Sequence, residues 1–331
     1  MPGYGSVKMR ILQFTSMQDP ALTARLVRAT RRAAATVVLD LEDSLWDVLD
    51  DKRTPGLKEA GRANLVALAR ADRALFSGQP IGVRVNRVTG PYAGLDFEAL
   101  GRASRHVEFE CIVPTKVESA ADIHANLSGL RAARVAHRGL VPIVETRLGL
   151  ANLEEILEAA AGAGVEWLIY GHFDHALDCG LWPFPEPDED RYWDAVEPLV
   201  RRFESAGLGY VHPPYFQTRD EAGMTSILAR LARTCAREFG VLTVGPRQTV
   251  AMIRLFGEIR SGHGASVRGG VRAQAVQTNG TPADQARHVM ETFIAARRHS
   301  SGIALDRASG EFISPHVYLA ARDYLRRTAH A

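Results

Sequence analysis

Residues 36–43 read Thr36-Val37-Val38-Leu39-Asp40-Leu41-Glu42-Asp43, a β-branched and aliphatic run that ends in acids. A continuous apolar run this short is typical of a strand buried on both faces. Such strands occur in parallel sheets whose two faces are covered by helices. The acids at its end predict that the strand carries carboxylates to one edge of the sheet.

Seven further runs of this type occur along the chain. They are residues 10–15, 81–86, 111–116, 140–145, 167–170, 208–211 and 241–244, of which 208–211 is the weakest. Amphipathic stretches separate most of them, with helices predicted at residues 20–34, 57–71, 150–163 and 223–239. Eight such units in about 250 residues are what a (β/α)₈ TIM barrel needs, so this α/β barrel is the predicted fold. The alternative, an open doubly wound sheet, would need a Gly-rich turn after the first strand, and Thr15–Pro20 is not one.

The composition is that of an ordinary globular protein. The chain has 331 residues, and its formal net charge of +2 gives no electrostatic reason to expect a nucleic-acid or membrane partner. Three widely spaced cysteines, Cys111, Cys179 and Cys235, form no zinc motif and are expected to be small buried side chains. Met1–Arg10 lacks an apolar signal core and no run approaches about 18 apolar residues, which predicts a cytoplasmic location.

The C-terminal part of the chain changes character. Five glycines lie between Ser261 and Gly280, so residues 261–282 are predicted to form a flexible loop. The elements predicted after this loop are a helix at 283–298, an extended piece at 302–305 and a helix at 315–327. The expected organisation is a barrel over residues 1–260 and a helical extension over residues 283–331, acting as a lid or packing on a neighbouring subunit.

In a barrel, residues at the carboxyl ends of the strands face the active site. Acids recur there, with one arginine and one lysine among them: Asp40, Glu42, Asp43, Arg84, Lys116, Glu118, Glu145 and Asp174. Carboxylates this close repel unless a cation or proton lies between them, and oxygen ligands with open positions favour Mg²⁺ or Mn²⁺. The rim predicts a metal site that chelates a 2-oxo acid, with the arginine balancing the charge of its enolate.

Each rim residue also has a structural interpretation. Asp174 could cap the helix that follows it, the acids of residues 40–43 could form a solvated turn, and Arg84 could be only an ion-pair partner. Glu145 is harder to explain in this way because a carboxylate at the end of a buried strand is costly without a partner. Structural roles are the favoured interpretation of three other polar side chains: Lys116, His172 and His212.

Five segments carry motifs in a fixed order along the chain. They are Val38–Ser44 (LDLEDS), Gly82–Asn86 (RVN), Val113–Ser119 (PTKVES, with Thr115 as an extra residue), Pro142–Leu150 (IVETRLGL) and Gly171–Gly180 (GHFDHALDCG). Together they resemble the signatures of the citrate lyase β-subunit-like family, which belongs with the HpcH/HpaI aldolases and the malyl-CoA lyases. The resemblance covers about residues 10 to 256 and extends to the tail from Ser301 to Arg327.

This resemblance implies a barrel that assembles as a homotrimer or homohexamer and holds Mg²⁺, with Mn²⁺ as a substitute. It implies that Glu145 and Asp174 are the metal ligands and that Arg84 contacts the oxo acid. Glu42 and Asp43 would lie nearby, holding metal-bound water or Arg84. The expected catalytic residues are therefore Arg84, Asp43 and Glu42. The expected substrate-binding residues are Arg84, Asn86, Thr146 and Lys116.

Three departures from the family pattern concern proton transfer. The segment after the last barrel strand, Val244–Gln248, lacks the family's histidine. Ser314 stands where CoA-lyase relatives carry an acid in the terminal piece, and Asp43 stands where small-aldehyde aldolases carry their histidine base. The chain thus lacks the proton-transfer residue of both branches, which predicts an unusual substrate.

The sequence therefore predicts an enzyme, a Mg²⁺-dependent carbon–carbon lyase. It would make or break an aldol or Claisen-type bond of a small 2-oxo acid or hydroxy diacid. Two alternatives stay open. One is an acyl-CoA thioester lyase or thioesterase of the same family, against which the serine at position 314 argues. The other is a catalytically inactive barrel that binds a metabolite.

Overall fold

The computed structural model describes residues 7–236, 238–261, 281–297, 302–305 and 311–329. Eight parallel strands form one sheet in the order β4-β3-β2-β1-β8-β7-β6-β5. The strands are β1 (Lys8–Ser16), β2 (Thr36–Asp40), β3 (Ile81–Val85), β4 (Cys111–Pro114), β5 (Ile143–Val144), β6 (Trp167–Tyr170), β7 (Gly209–His212) and β8 (Glu238–Thr243). Bridges Phe109–His137 and Ile112–Leu140 bring the segment before β5 against β4, so the sheet is nearly closed. The predicted (β/α)₈ barrel is confirmed, and the open-sheet alternative is wrong.

Helices surround this barrel. They are α1 (Pro20–Thr30), α2 (Thr54–Ala71), α3 (Arg73–Phe76), α4 (Ala93–Ala103), α5 (Ala120–Ala132), α6 (Arg147–Ala151), α7 (Leu153–Gly162), α8 (His172–Asp178), α9 (Asp190–Ser205), α10 (Glu221–Thr234), α11 (Pro246–Arg260), α12 (Pro282–Arg297) and α13 (Pro315–Thr328). Short 3₁₀ turns lie at Asp43–Leu45 and Asp51–Arg53, and β9 (Ala304–Leu305) pairs antiparallel with β10 (Phe312–Ile313). None of the described helices is both long and apolar enough to cross a membrane.

Some predicted boundaries were wrong. The helix predicted over residues 223–239 ends at Thr234, because Cys235 turns to an extended conformation and Phe239 pairs with Met9 of β1. The strand predicted over 140–145 shortens to two residues, since Pro142 has no amide hydrogen to donate to a neighbouring strand. The helix predicted to end at residue 34 ends at Thr30. Residues 262–280 of the predicted loop lie outside the described part of the chain.

Strand periodicity decides which side chains enter the barrel. Val38 packs with the interior cluster, whereas Val37 and Leu39 belong to the larger core between strands and helices. Asp40 lies two residues after Val38, so it points to the same inward side at the carboxyl end of β2. Arg84 occupies the matching position on β3 because it pairs in register with Asp40. The barrel interior is therefore apolar below and charged at its mouth.

The C-terminal elements lie across this mouth of their own barrel. Helix α13 packs on α8, and α12 packs on α13. Phe173 of α8 clusters with Phe216 and with Ala320 of α13. A second cluster joins Phe293 of α12 to Tyr318 of α13, whose rings stack with centroids 4.7 Å apart. These contacts place the start of α13 at the carboxyl ends of the strands.

The expectation for the cysteines holds for two of the three. Cys111 and Cys235 are buried. Cys179 is half-buried, with Sγ 3.3 Å from Nε2 of His175, so the expectation was wrong for that residue. It lies on the C-terminal cap of the short helix α8, where the side chain is only partly covered.

Candidate functional site

Arg84 is clamped by acids that follow β2. Its Nε and Nη2 donate to the two carboxylate oxygens of Asp40 at 2.8 and 2.6 Å. Its Nη1 donates to Asp43 Oδ2 at 2.9 Å and lies 3.2 Å from Glu42 Oε2. Burial lowers the pKa of Arg84, but these three carboxylates together raise it well above its usual value. Arg84 is therefore both an ion-pair partner and a permanent cation at the mouth of the barrel, held in one plane by paired hydrogen bonds.

Asp40 also organises the turn that presents the other two acids. Its carboxylate accepts hydrogen bonds from the backbone amides of Glu42 at 2.8 Å and Ser44 at 3.1 Å. Asp40 and Glu42 are buried, and Asp43 is half-buried. The solvated-turn interpretation of these acids is therefore wrong, because an open turn would leave them exposed.

Asn86 is used inside the protein. Its side-chain amide donates to Asp96 Oδ2 at 2.7 Å and to the backbone oxygen of Leu41 at 2.9 Å. Its side-chain oxygen accepts from the ammonium of Lys58, which also donates to the Glu42 carbonyl at 3.0 Å. The buried Lys58 on α2 was not singled out from the sequence, since a lysine on an amphipathic helix is ordinarily solvated. These hydrogen bonds to the backbone of residues 41 and 42 stabilise the turn after β2.

Lys116 lies at the centre of the acids. Its backbone has φ of 51°, the left-handed region, and its amide donates to Glu145 Oε1 at 2.9 Å. Its ammonium lies 2.7 Å from Glu42 Oε1 and 3.0 Å from Asp174 Oδ1. Burial lowers the pKa of Lys116, but the surrounding carboxylates, Asp174 foremost, raise it well above its usual value. An ammonium held this firmly is a counter-ion and not a free-amine nucleophile.

Glu145 follows β5 and is 2% exposed. A Cβ on Gly171 would lie 2.3 Å from Glu145 Oε2, so the absence of a side chain at Gly171 makes room for this carboxylate. Burial and the neighbouring Asp174 raise the pKa of Glu145 well above its usual value, against the opposing effect of Lys116. The charged form of Glu145 is thus disfavoured first by burial and then by the negative charge of Asp174.

Asp174 lies in the first turn of α8, whose cap residue is Gly171, so the interpretation of Asp174 as a helix cap is wrong. Burial raises the pKa of Asp174, but His316 and Lys116 more than reverse that effect and hold it well below its usual value. The charged form of Asp174 is thus favoured by two neighbouring cationic groups.

His316 is the site residue that the sequence analysis missed. Ser314 caps α13 by accepting a hydrogen bond from the Val317 amide at 3.2 Å. His316, in the first turn, has Nε2 3.1 Å from Asp174 Oδ1 and 3.8 Å from Asp43 Oδ1. Burial lowers its pKa, but Asp174 and Asp43 raise it above the ordinary histidine value. Its one sequence signal was its place directly after Ser314-Pro315, in the terminal piece that departs from the family pattern.

The donor set fits a divalent cation. Asp43, Asp174 and His316 each offer one ligand atom, and these atoms lie within 4.8 Å of one another. Glu145 is not in this group; its Oε1 lies 3.8 Å from the Lys116 ammonium, which is 3.0 Å from Asp174 Oδ1. The five carboxylates at residues 40, 42, 43, 145 and 174 outnumber the two permanent cations Arg84 and Lys116. Carboxylate oxygens with excess negative charge are the ligands that Mg²⁺ and Mn²⁺ prefer.

A cavity of about 360 Å³ opens beside these residues at the carboxyl ends of the strands. Four of the predicted site residues line it: Asp43, Arg84, Glu145 and Asp174. Glu42 and Lys116 do not line the cavity but contact residues that do. Asn86 and Thr146 are not among its lining residues; Thr146 caps α6 by accepting from the Gly149 amide at 3.0 Å.

The rest of the cavity lining is largely apolar. Its side chains come from the barrel, from α1 and α8, and from the segments after β7, β8 and α12: Phe14, Leu22, Leu26, Ile143, Ile169, Phe173, Pro213, Pro214, Phe216, Leu242, Val244, Ile303, Phe312 and Pro315. Asp43 and Ser314, two of the three positions that depart from the family pattern, border the cavity. The buried histidines His172 and His212 pack among aromatic rings away from it. The cavity lining thus combines a group of charged side chains with a larger number of apolar ones.

A (β/α)₈ barrel with charged side chains gathered at the carboxyl ends of its strands has the layout of the barrel enzymes. Comparison with known families identifies which kind. The model of the HpcH/HpaI aldolase/citrate lyase family matches residues 10–232, and the chain belongs to this family. The family is one of aldolases and lyases, so membership supports a lyase in general terms.

Solved structures share the fold at low sequence identity. RipC from Yersinia pestis is 24% identical with a TM-score of 0.54, covering 76% of this chain and 98% of its own. The CitE protein of Mycobacterium tuberculosis in complex with magnesium and pyruvate is 19% identical with a TM-score of 0.55, covering 76% and 91%. A citrate lyase from Burkholderia xenovorans LB400 is 15% identical with a TM-score of 0.60, covering 97% and 92%. No curated protein matches the chain by sequence.

Proposed function

We propose that the chain is a divalent-metal-dependent carbon–carbon lyase that makes or breaks a bond of a small 2-oxo acid. Family membership supports the class of reaction. The observation that carries the proposal is the gathering of Asp43, Arg84, Glu145 and Asp174 on one wall of a cavity at the mouth of the barrel. Acids and a fixed cation placed together in a cavity, with pKa values far from normal, are typical of sites of chemistry.

The proposed metal is Mg²⁺, with Glu145 and Asp174 as its protein ligands and Mn²⁺ as a substitute. The structure of CitE from Mycobacterium tuberculosis with magnesium and pyruvate supports this choice by analogy. When bound, the cation would supply positive charge that stabilises an enolate at the keto oxygen of the substrate. Asp43 and His316 lie close enough to Asp174 to contribute further ligand atoms.

We propose roles for the remaining side chains that their contacts support. Arg84, fixed by Asp40, holds a permanent positive charge beside the substrate's carboxylate and enolate oxygens. Asp43 borders the cavity and is the proposed acceptor of the substrate's hydroxyl proton. Glu42 keeps Lys116 and Arg84 in place through ion pairs, and the ammonium of Lys116 adds positive charge near the substrate's carboxylate.

Asn86 and Thr146 are proposed to position other residues. Asn86 holds Lys58, which supports the backbone of Glu42. Thr146 follows Glu145 directly and begins α6, so its capping hydrogen bond steadies the metal-binding backbone. Both effects act through neighbouring residues, since neither side chain lines the cavity.

The experiment is the substitution Glu145→Gln. The amide has the same shape but lacks the charge, so we expect at least about a hundredfold loss of Mg²⁺ affinity by titration calorimetry, beyond the effects typical of second-sphere changes. Metal-dependent exchange of the C3 protons of pyruvate, followed by NMR in deuterated water, should fall in parallel. Glu59→Gln, on the exposed face of α2, is the matched control. Unchanged metal affinity and exchange in Glu145→Gln would overturn the assignment.

We also propose the assembly that the family resemblance implies, a homotrimer or homohexamer. Light scattering coupled to size-exclusion chromatography measures this directly. A mass of one chain across a wide range of protein concentrations would rule it out.

A further inference from the structure

The cavity beside the proposed metal site is bordered both by charged groups and by one packed apolar cluster. The charged groups include Asp43, Arg84, Glu145, Asp174 and His316. The apolar wall consists of the clustered side chains of Phe173, Phe216, Val244, Ile303 and Phe312, which border the same cavity. Phe173 stacks on Phe216 with ring centroids 4.6 Å apart and an interplanar angle of 13°, so this wall is a packed surface.

Cations are scarce on this cavity. Arg84 is the sole lysine or arginine among the described residues that line it, and His316, the other cationic group there, already lies 3.1 Å from Asp174 Oδ1. Both outer nitrogens and the Nε of Arg84 already contact Asp40 and Asp43. A second carboxylate or a phosphate group against the apolar wall would therefore lose water without gaining a cationic partner, which is unfavourable. An uncharged apolar group would instead leave water for a matching surface.

The size of the cavity leaves room for such a group. The smallest ketonic 2-oxo acid has six heavy atoms. At no more than a water's share of about 30 Å³ each, these atoms fill at most about half of the space. The cavity of about 360 Å³ thus accommodates a group of comparable size beyond the oxo acid.

The wall is built from distant parts of the chain. The Phe312 amide in β10 donates to the Phe216 carbonyl after β7 at 3.1 Å. This hydrogen bond holds the C-terminal hairpin against the apolar wall. Ile143, Ile169 and Leu242 continue the barrel's apolar interior into the floor. Several separate elements contribute apolar side chains to this surface, so it is a concave binding surface and not a single exposed residue.

We infer that the half of the substrate distal to the 2-oxo acid is uncharged and apolar, an aryl or branched alkyl group. This inference rests on the proposed lyase function. The substrate class is then a 4-hydroxy-2-oxo acid whose C4 carries that group, in place of a hydroxy diacid or a CoA thioester.

The reaction for this class balances without a further reactant. The C4 hydroxyl loses its proton to a base of the site as the C3–C4 bond breaks. The bonding electron pair passes to C3 as the enolate of the 2-oxo acid, and C4 becomes the carbonyl carbon of an apolar aldehyde. The proton taken from the hydroxyl is returned to C3, so the products are an aldehyde and a 2-oxo acid.

Ligand binding tests the apolar wall separately from turnover. With Mg²⁺ present, titration calorimetry compares phenylpyruvate, whose C3 carries a ring, with oxaloacetate, whose C3 carries a second carboxylate. We expect phenylpyruvate to bind at least about tenfold more tightly, which is about 1.4 kcal/mol. Equal or tighter binding of oxaloacetate would overturn the inference. In steady-state kinetics of condensation with pyruvate, kcat/KM should likewise be higher for benzaldehyde, an apolar aldehyde, than for glyoxylate, which carries a carboxylate.

Leu22 on α1 offers a variant that tests the position of the wall. It borders the cavity and is 40% exposed, so Leu22→Arg should fold. We expect the new cation to reverse or abolish the preference for phenylpyruvate. Leu95→Arg, at a leucine 45% exposed on α4 and outside the cavity lining, is the matched control and should keep the preference. An unaltered preference in a folded Leu22→Arg protein would contradict the assigned wall.

The pyruvate proton exchange described above separates the two proposals. If the pyruvate protons exchange but oxaloacetate binds more tightly than phenylpyruvate, the lyase proposal stands and the inference of an apolar substrate is refuted. If phenylpyruvate binds more tightly but the pyruvate protons do not exchange, recognition of an apolar group is supported and the lyase proposal is refuted. Absence of both refutes both.

Discussion

Single residues decide whether the acids of this site can share one cation. The pattern of strand ends was enough to predict that Arg84, Glu145 and Asp174 lie at the mouth of the barrel. Alternate residues of a strand point the same way, and parallel strands end at the same edge. The pattern was not enough to predict His316, which reaches Asp174 from a helix more than a hundred residues later in the chain. Nor could it predict that Lys116 would adopt a left-handed backbone with its ammonium among four carboxylates.

Gly171 provides a test of close packing at the site. In Gly171→Ala the new methyl group would fall on the Glu145 carboxylate, 2.3 Å from Oε2, and Glu145 must move. We expect Mg²⁺ affinity to fall by at least about tenfold in a folded protein, measured by calorimetry and circular dichroism. Gly162→Ala on α7 is the control because nothing lies within 4 Å of its added Cβ. Equal metal affinity in the two variants would mean that Glu145 does not need this space.

Glu186 predicts a pH dependence that is separate from the metal site. Burial, with the carboxylates of Glu311, Asp188 and Glu189, raises its pKa from 4.5 to about 8. Between these values the folded chain keeps a proton that the unfolded chain has lost, so this group lowers the free energy of unfolding as pH rises through the window. Below it the effect vanishes, and above it the penalty is complete.

The substitution Glu186→Gln removes this titration. Thermal unfolding at about pH 5 and about pH 9 should show the variant gaining stability relative to the unmodified protein at the higher pH only. Glu158→Gln, at an exposed position on α7, is the control. A gain that is the same at both pH values would show that Glu186 does not titrate in this window.

At the scale of elements, the helices and strands were predictable where the local pattern and the tertiary pairing agreed. Strand β6 matches the predicted residues 167–170. Helix α10 and strand β8 disagree with prediction because residues 238–240 can continue a helical pattern, yet pair with residues 8–10 of β1 in the folded chain. The pairing partner is more than two hundred positions away, so no local propensity contains it.

Helix α13 depends on the residue that caps its start, Ser314. Ser314→Ala removes the side chain that accepts the Val317 amide, so we expect a loss of about 1 kcal/mol in the free energy of unfolding. Hydrogen exchange should quicken in the first turn of α13, which carries His316. Ser314→Thr keeps the hydroxyl beside a cavity that has room for a methyl group, and should retain most of the stability. Equal unfolding free energies for the two variants would argue against the cap.

At the scale of the whole molecule, a buried polar network joins strand β1 and helix α1 to strand β8 and helix α11. Gln13 Oε1 on β1 accepts from Thr30 of α1 at 2.8 Å and from Thr249 of α11 at 2.9 Å. Thr249 also shares a hydrogen bond of 2.7 Å with Thr243 of β8. All four side chains are buried. The network thus links elements from both ends of the barrel sequence.

Gln13→Leu should weaken this closure. The hydroxyls of Thr30 and Thr249 would lose the acceptor they share, while Thr249 keeps its hydrogen bond with Thr243, so we expect a cost of about 1 kcal/mol, measured as a lower unfolding temperature. Thr249→Val should have an effect of similar size. Because the two groups share one hydrogen bond, the double variant should cost less than the sum of the single variants. Strict additivity would show that the two side chains act independently.

The sequence by itself determined the barrel, its approximate strands and the acidic, arginine-containing mouth. Strand periodicity and the common direction of parallel strands are local rules, and they place side chains without knowledge of distant contacts. The tertiary structure alone decided that His316 joins Asp174 and that Phe173, Phe216 and Phe312 meet on one wall. These groups come together only when the C-terminal helix and hairpin pack across the barrel, and that packing depends on surfaces that do not exist until the strands have closed.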